Sequence, residues 1–252
     1  MEKLSAVIIT FNEEKNIERC IRSVLDISDE VIVVDSGSTD KTISIAESLG
    51  AKVIQNNFIG HIEQKNFALD QASNNWVISL DADEALSDKL RNSIKSTLSD
   101  SPAVGYSMNR LNNYCGTWIR HGAWYPDVKL RMFDKTKVRW GGVNPHDKAI
   151  PLKGEKTKHI KGDLLHYSYY SILEHSSKLD YFSTIAAKAY LKDGKKAGFW
   201  NLRIRPPFAF FRDYVLRLGF LDGYHGWVIA RFSAYYTFLK YVKLRNLRKT
   251  NS

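Results

Sequence analysis

The chain reads as an α/β protein with a mostly parallel, doubly wound sheet, a mixed second half and a helical C-terminal extension. Three observations lead there. Continuous apolar runs alternate with helix-patterned segments through the first hundred residues, each run ending in polar or acidic groups. After Ser101-Pro102 the texture changes to short runs rich in Tyr, Trp and Arg. From residue 200 onward the chain is both strongly basic and aromatic.

In order, Ser5 to Phe11 is a β-branched strand, and Asn12-Glu-Glu-Lys-Asn16 opens a helix with Ile17, Ile21, Val24 and Leu25 at helical spacing. Glu30 to Val34 is a second buried strand ending at Asp35. The Ser36-Gly-Ser-Thr-Asp40 turn caps a helix that runs to about Leu49, where Gly50 ends it. Ala51 to Gln55 is a third strand and His61 to Ala72 a further helix. The fourth strand, Trp76 to Leu80, stops abruptly at Asp81, Asp83 and Glu84, which cannot enter a core unpaired. In a parallel sheet these polar ends share one edge, where the ligand cleft lies. The spacing then gives strands at Val104–Asn109, Val128–Phe133, Val138–Trp140 and Lys148–Ile150, with Gly141-Gly142 and Pro145 marking a mobile loop. Ser171 to Asp193 is an amphipathic helix with Leu179, Phe182, Ala186 and Ala189 on one face. Pro206-Pro207 breaks the chain before two aromatic helical stretches, about 208–220 and 226–244. The expected divisions are 1–100 and 101–170, two halves of the same domain, and 171–252, the basic extension.

Composition narrows the class. With 252 residues, 44% hydrophobic and 25% charged, the chain has an ordinary globular make-up. The N-terminal apolar run lacks a cleavage site, and no apolar stretch reaches the roughly 20 residues a spanning helix requires. Two cysteines, Cys20 and Cys115, without metal or redox spacing point to a reducing, cytoplasmic compartment. The net charge of +10 is concentrated: residues 200–252 hold ten Lys or Arg against two Asp, so the rest of the chain carries only +2. Thirteen of the 31 aromatic residues lie in the same segment. Basic and aromatic side chains interleaved on helices suit an anionic membrane surface. No recognisable module supports nucleic-acid binding.

Taken together, Ser5-Ala-Val-Ile-Ile-Thr-Phe-Asn-Glu13, Val31-Ile-Val-Val-Asp-Ser-Gly-Ser-Thr-Asp40, Gln64-Lys-Asn-Phe-Ala-Leu69 and Trp76 to Glu84 resemble the family 2 glycosyltransferases in order and spacing. The resemblance implies a Rossmann-like GT-A fold, a nucleotide-sugar donor and an inverting transfer. Downstream, Val128-Lys-Leu-Arg-Met-Phe133, His166-Tyr-Ser-Tyr169 and Leu218-Gly-Phe-Leu-Asp-Gly223 look like the lipopolysaccharide-core β-1,4-glucosyltransferase branch, which acts on inner-core heptose. By that likeness the donor is a UDP-sugar, the acceptor is lipid-linked, and the enzyme is peripheral on the inner face of the cytoplasmic membrane.

The resemblance also assigns residues. Asp83 is the metal ligand of the D-x-D motif for Mg²⁺ or Mn²⁺, and Asp81 lies beside it toward ribose or the hydrated metal. Thr10, Asn12, Glu13 and Asp35 match nucleoside-holding positions; Asp35 standing alone would read as a turn residue capping the next helix, and the other three motifs turn that reading to nucleotide contact. Lys65 lies toward the diphosphate. An inverting transfer needs a base for the acceptor hydroxyl, and Asp147 is the expected one, with His146 the alternative; the related branch usually carries the longer Glu at the place of Asp147. His166 is expected at the metal or diphosphate, or else as a satisfied strand-end residue. Arg131 is expected to pair with donor phosphate or an anionic acceptor, or to make an ordinary surface salt bridge. Two other functions fit the same donor motifs: a polyprenyl-phosphate glycosyltransferase, which needs no carboxylate base, and a non-catalytic nucleotide-sugar-binding membrane adaptor.

Overall fold

The computed structural model describes residues 2–99, 103–143, 146–152 and 154–250. The chain divides into two compact units, Met1–Arg110 with Asp127–Tyr167, and Leu111–Pro126 with Ser168–Ser252.

The first unit begins with the expected alternation: β1 (Leu4–Thr10), α1 (Ile17–Arg22), β2 (Glu30–Asp35), α2 (Thr42–Ser48), β3 (Lys52–Gln55), α3 (His61–Gln71) and β4 (Trp76–Asp81). β5 (Glu84–Leu86) and α4 (Asp88–Leu98) follow, and the sequence pattern had not marked either. Ser87 starts α4 by accepting a hydrogen bond from the Leu90 N–H. β6 (Gly105–Tyr114), β7 (Thr117–Ile119), β8 (Asp127–Asp134), β9 (Val138–Val143), β10 (His146–Pro151) and β11 (Thr157–Tyr169) complete the strands.

The main sheet runs β3-β2-β1-β4-β8-β6-β11-β5. β1, β2, β3 and β4 pair in parallel; β8 joins β4 antiparallel, and the remainder is mixed, as expected. Parallel strands covered on both faces need apolar residues at successive positions. β1 supplies them, with Leu4, Ala6 and Ile8 in one core layer and Val7 in the other. Register places Thr10 opposite Asp35 and Ile9 opposite Asp81, so the polar strand ends share one edge.

One expectation in this unit is corrected. Gly141 and Gly142 lie within β9, paired with Lys148 and Asp147 of β10, rather than in a loop. Gly142, at φ +104°, allows the hairpin a conformation that a side chain would strain. Pro145 and Asn144 lie outside the described residues.

The second unit holds β7, which pairs with Asn112–Tyr114 at the end of β6, and the C-terminal helices. α5 (Ile172–Lys192) is capped by Ser171, whose hydroxyl accepts from the Glu174 N–H. Its buried face is His175, Leu179, Ser183 and Ala187, turned from the one expected; Phe182 is exposed. Small Ser183 and Ala187 give the narrower contact, letting α5 lie against Tyr241 and Leu244 of the last helix. After α6 (Phe199–Arg203), Pro206 and Pro207 sit at the first positions of α7 (Arg205–Phe211) and start that helix instead of breaking the chain ahead of it. A π-helical turn (Arg212–Leu216) and a 3₁₀ turn (Gly219–Asp222) lead into α8 (Gly223–Thr250).

The core of this unit is aromatic. His175 donates to or accepts from the Tyr114 hydroxyl at 3.0 Å and stacks on Tyr169 at 4.6 Å. Burial, assisted by Lys178, pushes its imidazole down to about 4. An unfolded histidine, at about 6.5, takes up its proton first on acidification, so the unfolded state gains as pH falls through this window. Unfolding free energy should therefore drop by about 2 kcal/mol on going from pH 7 to pH 5. Urea titrations should show that slope diminished in His175→Gln, and an unchanged slope would remove His175 as its source.

Candidate active site

The cleft edge is built by two loops that lace together. Asn12, in the left-handed region at φ +54°, donates its N–H to Ser38 Oγ, and its Oδ1 accepts the Thr39 N–H at 2.8 Å. The Glu13 N–H donates to Thr42 Oγ1, and Glu13 Oε2 accepts from Asn16 Nδ2 at 2.6 Å. Asp35, fully buried, accepts the N–H groups of Gly37 and Ser38 on Oδ2 and the Ser38 hydroxyl on Oδ1. Asp35 and Asn12 thus hold the loops' backbone in shape. Thr10 differs: its hydroxyl is buried and has no hydrogen-bond partner among the described residues.

Beside these loops lies a cluster of buried charge. Lys65, on α3 and 4% exposed, places Nζ 3.0 Å from Asp81 Oδ1 and 2.8 Å from Asp147 Oδ2. Its ammonium lies 4.4 Å from the Trp140 ring centre. Trp140 is fixed in turn by Asn66, which donates to its carbonyl and accepts its N–H. Arg131, on β8 and 3% exposed, donates from one Nη to Asp81 Oδ2 at 2.9 Å and to Glu84 Oε1 at 2.7 Å. Glu84 Oε2 accepts the Asp81 N–H, and Arg110 reaches Glu84 and Asp127.

Electrostatics follow from this packing. Burial by itself would raise the Asp81 carboxyl, but Lys65 and Arg131 outweigh it and hold the group well below the usual aspartate range. Burial pulls on Arg131 in the direction of losing its proton, and Glu84 and Asp81 overcome that and keep it firmly cationic. Burying such charges is tolerable only because each faces an opposite one at hydrogen-bond distance.

Asp83, two residues along, faces elsewhere. Its Oδ2 is 3.2 Å from His166 Nε2, and its carbonyl accepts the Tyr167 N–H. Both side chains are partly exposed. A carboxylate oxygen beside an imidazole nitrogen is a donor pair that Mn²⁺ accepts readily, and Mg²⁺ through the oxygen. Among the described residues no three His, Cys, Asp or Glu side chains converge on one cation position. A metal here would accordingly complete its shell with substrate oxygens and water, as Mg²⁺ commonly does.

The expected site residues thus sort into three groups. Thr10, Asn12, Glu13 and Asp35 share the loop edge; Lys65, Asp81, Asp147 and Arg131 form the charge cluster; Asp83 and His166 pair. Two expectations change. Asp81 does not converge with Asp83 and His166 on one cation position among the described residues; its carboxylate faces Lys65 and Arg131 instead. Arg131 is not an ordinary surface salt bridge, since it is buried between two carboxylates. His146 is described only in its backbone, and its side chain lies outside the described residues. Glu84 and Trp140 carry structural parts that sequence reasoning had not assigned. For Glu84 the signal was present, in a third carboxylate directly after an apolar strand.

The site thus joins the polar ends of parallel strands, a lysine held between two carboxylates and a further carboxylate paired with a histidine. The sequence profile of Glycosyl transferase family 2 matches residues 5–159. An uncharacterized glycosyltransferase of Rickettsia typhi is 35% identical over 257 residues, covering 98% of this chain and 88% of the relative. The lipopolysaccharide core biosynthesis glycosyltransferase LpsC of Rhizobium meliloti is 31% identical over 247 residues, covering 96% and 91%. The chain belongs to glycosyl transferase family 2, and its parallel half joined to a mixed sheet has the GT-A form. Among solved structures, the glucosyl-3-phosphoglycerate synthase of Mycobacterium tuberculosis with Mn²⁺, UDP and glucosyl-3-phosphoglycerate is 27% identical, with a TM-score of 0.36. That likeness covers 44% of each chain, so this chain spans less than half of that one, too distant a match to bear on ligands.

Removing the central cation tests the cluster. Arg131→Met leaves Asp81 and Glu84 buried without their partner and should cost roughly 3–5 kcal/mol in urea unfolding. Adding Glu84→Gln should recover part of that loss. A single variant as stable as the wild type would show that the cluster is not buried in solution.

Proposed function

We propose that this glycosyltransferase moves a hexose, glucose in our reading, from a UDP-sugar to a heptose of the lipopolysaccharide inner core with inversion at the anomeric carbon. One observation carries the reading: Lys65 brings Asp147 into the same cluster as the aspartate that ends β4. A base and a diphosphate-binding cation are what a single displacement needs on either side of the sugar. The name of the Rhizobium meliloti relative supports the lipopolysaccharide-core acceptor.

Thr10 has a buried hydroxyl available to a nucleoside, and the Asn12, Glu13 and Asp35 loops would frame the base and ribose through hydrogen bonds. Asp83 and His166 would hold a divalent cation, which as a Lewis acid would neutralise charge growing on the departing diphosphate. Lys65 would turn from Asp147 toward the diphosphate when the donor binds, leaving Asp147 free to accept the proton of the acceptor hydroxyl. The acceptor oxygen then forms its bond to the anomeric carbon as the carbon–oxygen bond to UDP breaks, and the proton stays on Asp147 until solvent takes it. Asp81 and Arg131 would keep the β4 end rigid through these steps. A lipid phosphate acceptor, already anionic, would have no use for Asp147, which favours a sugar hydroxyl over the polyprenyl-phosphate alternative.

Among the described residues no helix is long and apolar enough to cross a membrane. We place the enzyme on the cytoplasmic membrane's inner face, where a lipid-anchored acceptor is presented to it.

Calorimetric titration with UDP should show binding strengthened by Mn²⁺, and Asp83→Ala should weaken that metal-dependent binding by about tenfold or more. Undiminished binding that ignores the metal would exclude this role for Asp83. Asp147→Asn should bind UDP nearly as wild type while transfer to truncated lipopolysaccharide from radiolabelled UDP-glucose falls by roughly 10²–10⁴. Wild-type turnover in that variant would exclude Asp147 as the base.

A further inference from the structure

None of the candidate site residues lies in the segment Leu218-Gly-Phe-Leu-Asp-Gly223, whose construction is unusual: polar groups and glycines turn inward, aliphatic and aromatic side chains outward. Inward, Asp213 is 1% exposed and receives two hydrogen bonds from Arg212 and one from the Ser233 hydroxyl. Asp222 accepts the N–H groups of Arg120 and His121, at 3.1 and 2.8 Å, and pairs with the His121 ring at 2.9 Å. The Gly122 N–H donates to the Arg217 carbonyl. Gly226 meets the Gly219 carbonyl so closely that a Cβ on it would lie 1.9 Å from that oxygen. Outward, Leu216, Leu218, Phe220 and Leu221 are each 45–59% exposed.

A loop fastened at so many points does not collapse to hide its apolar side chains, so water meets them unless a partner does. A π-helical turn and a left-handed Leu218 (φ +58°) hold the backbone in that outward form. The partner must be apolar at its centre and anionic at its rim, because exposed Arg217 lies within the turn and Arg203 and Arg205 are exposed on the two helices preceding it. Part of the basic charge is engaged internally: Arg205 donates to the Tyr241 hydroxyl and Arg217 lies 3.6 Å from buried Asp213, while Arg245 and Lys249 are exposed. Lys243 bonds to Asp180, Ser183 and Thr184, and Arg248 to the carbonyls of Gly194 and Lys195. Exposed apolar side chains gather at this turn and on the helices before it, where Phe199, Trp200, Phe208 and Phe211 also face outward.

We infer that Leu216–Leu221 is a preformed wedge that inserts its apolar side chains into a lipid bilayer while neighbouring arginines meet anionic headgroups. The inference rests on the membrane reading above and gives it a location. A rigid wedge loses little conformational freedom on insertion, so a few side chains suffice to anchor the protein.

The test is co-sedimentation of the full chain with phosphatidylethanolamine/phosphatidylglycerol vesicles and with phosphatidylcholine vesicles, for wild type, Leu216→Ser/Leu221→Ser and the control Leu173→Ser, whose side chain is 79% exposed on α5. Wild type and control should partition onto the anionic vesicles, and the double variant at least about tenfold less. All three should bind UDP alike by calorimetry, which reads the donor site independently and confirms folding. Equal partition by the double variant would overturn the wedge while leaving membrane binding in place. Failure of wild type to bind any vesicle would overturn both, with UDP binding still reporting on the glycosyltransferase reading. A wild-type dimer that the double variant converts to monomer would make a second copy of the chain the occupant and overturn the lipid assignment.

Discussion

The first unit is organised around charge that cannot be left unpaired. Lys65 and Arg131 are almost wholly removed from water, and each is held by carboxylates from different elements: Asp81 at the end of β4, Glu84 at the start of β5 and Asp147 in β10. An isolated ion at such depth would destabilise the fold by several kcal/mol, so each group fixes the position of the others. One helix, three strands of the main sheet or its edge and the β9–β10 hairpin are thereby tied at a single point. Replacing the cluster with apolar residues could give an equally stable fold, which makes its retention easier to understand as preparation for a charged substrate than as a source of stability.

The same arrangement separates two tasks that one motif seemed to combine. In Asp81-Ala-Asp83 the first carboxylate faces the buried cations, and the second faces His166. Successive strand positions point to opposite faces, but here the turn after β4 intervenes, and Glu84 re-enters a strand beside β11 in register with His166. The turn lets two carboxylates one residue apart meet different partners. In the proposed reaction that division has a purpose: Asp83 is available to a cation, whereas Asp81 keeps Lys65 close to where a diphosphate would lie.

The sequence revealed the parallel half well because its signals are local. Each buried strand is a continuous apolar run, and each polar end follows directly from it, so the sequence itself assigns Thr10, Asp35 and Asp81 to one edge. Asp147 is singled out only by the resemblance to the related branch; its partner Lys65 lies 82 residues earlier, and only the fold brings them to 2.8 Å. What the sequence concealed depends on long-range pairing. Arg131 on a strand of mixed composition gives no sign of whether it ends in solvent or between two acids. Gly141-Gly142 reads as a loop when taken alone and becomes strand only through pairing with β10. The buried face of α5 was misjudged because hydrophobicity pointed to Phe182, while close helix packing selects small Ser183 and Ala187. In the basic extension, composition counted every lysine and arginine as surface charge, but Lys243 and Arg248 are fasteners within the second unit.

Lys65 is the residue on which the proposed chemistry turns, since in the proposal its ammonium passes from Asp147 to the diphosphate and frees the base. The most direct measurement is a crystal structure with UDP and Mn²⁺ bound. Lys65 Nζ is expected on the diphosphate, with Asp147 released toward the acceptor side and Asp83 ligating the metal. A bound diphosphate with Lys65 still bridging Asp81 and Asp147, and the metal held elsewhere, would contradict it.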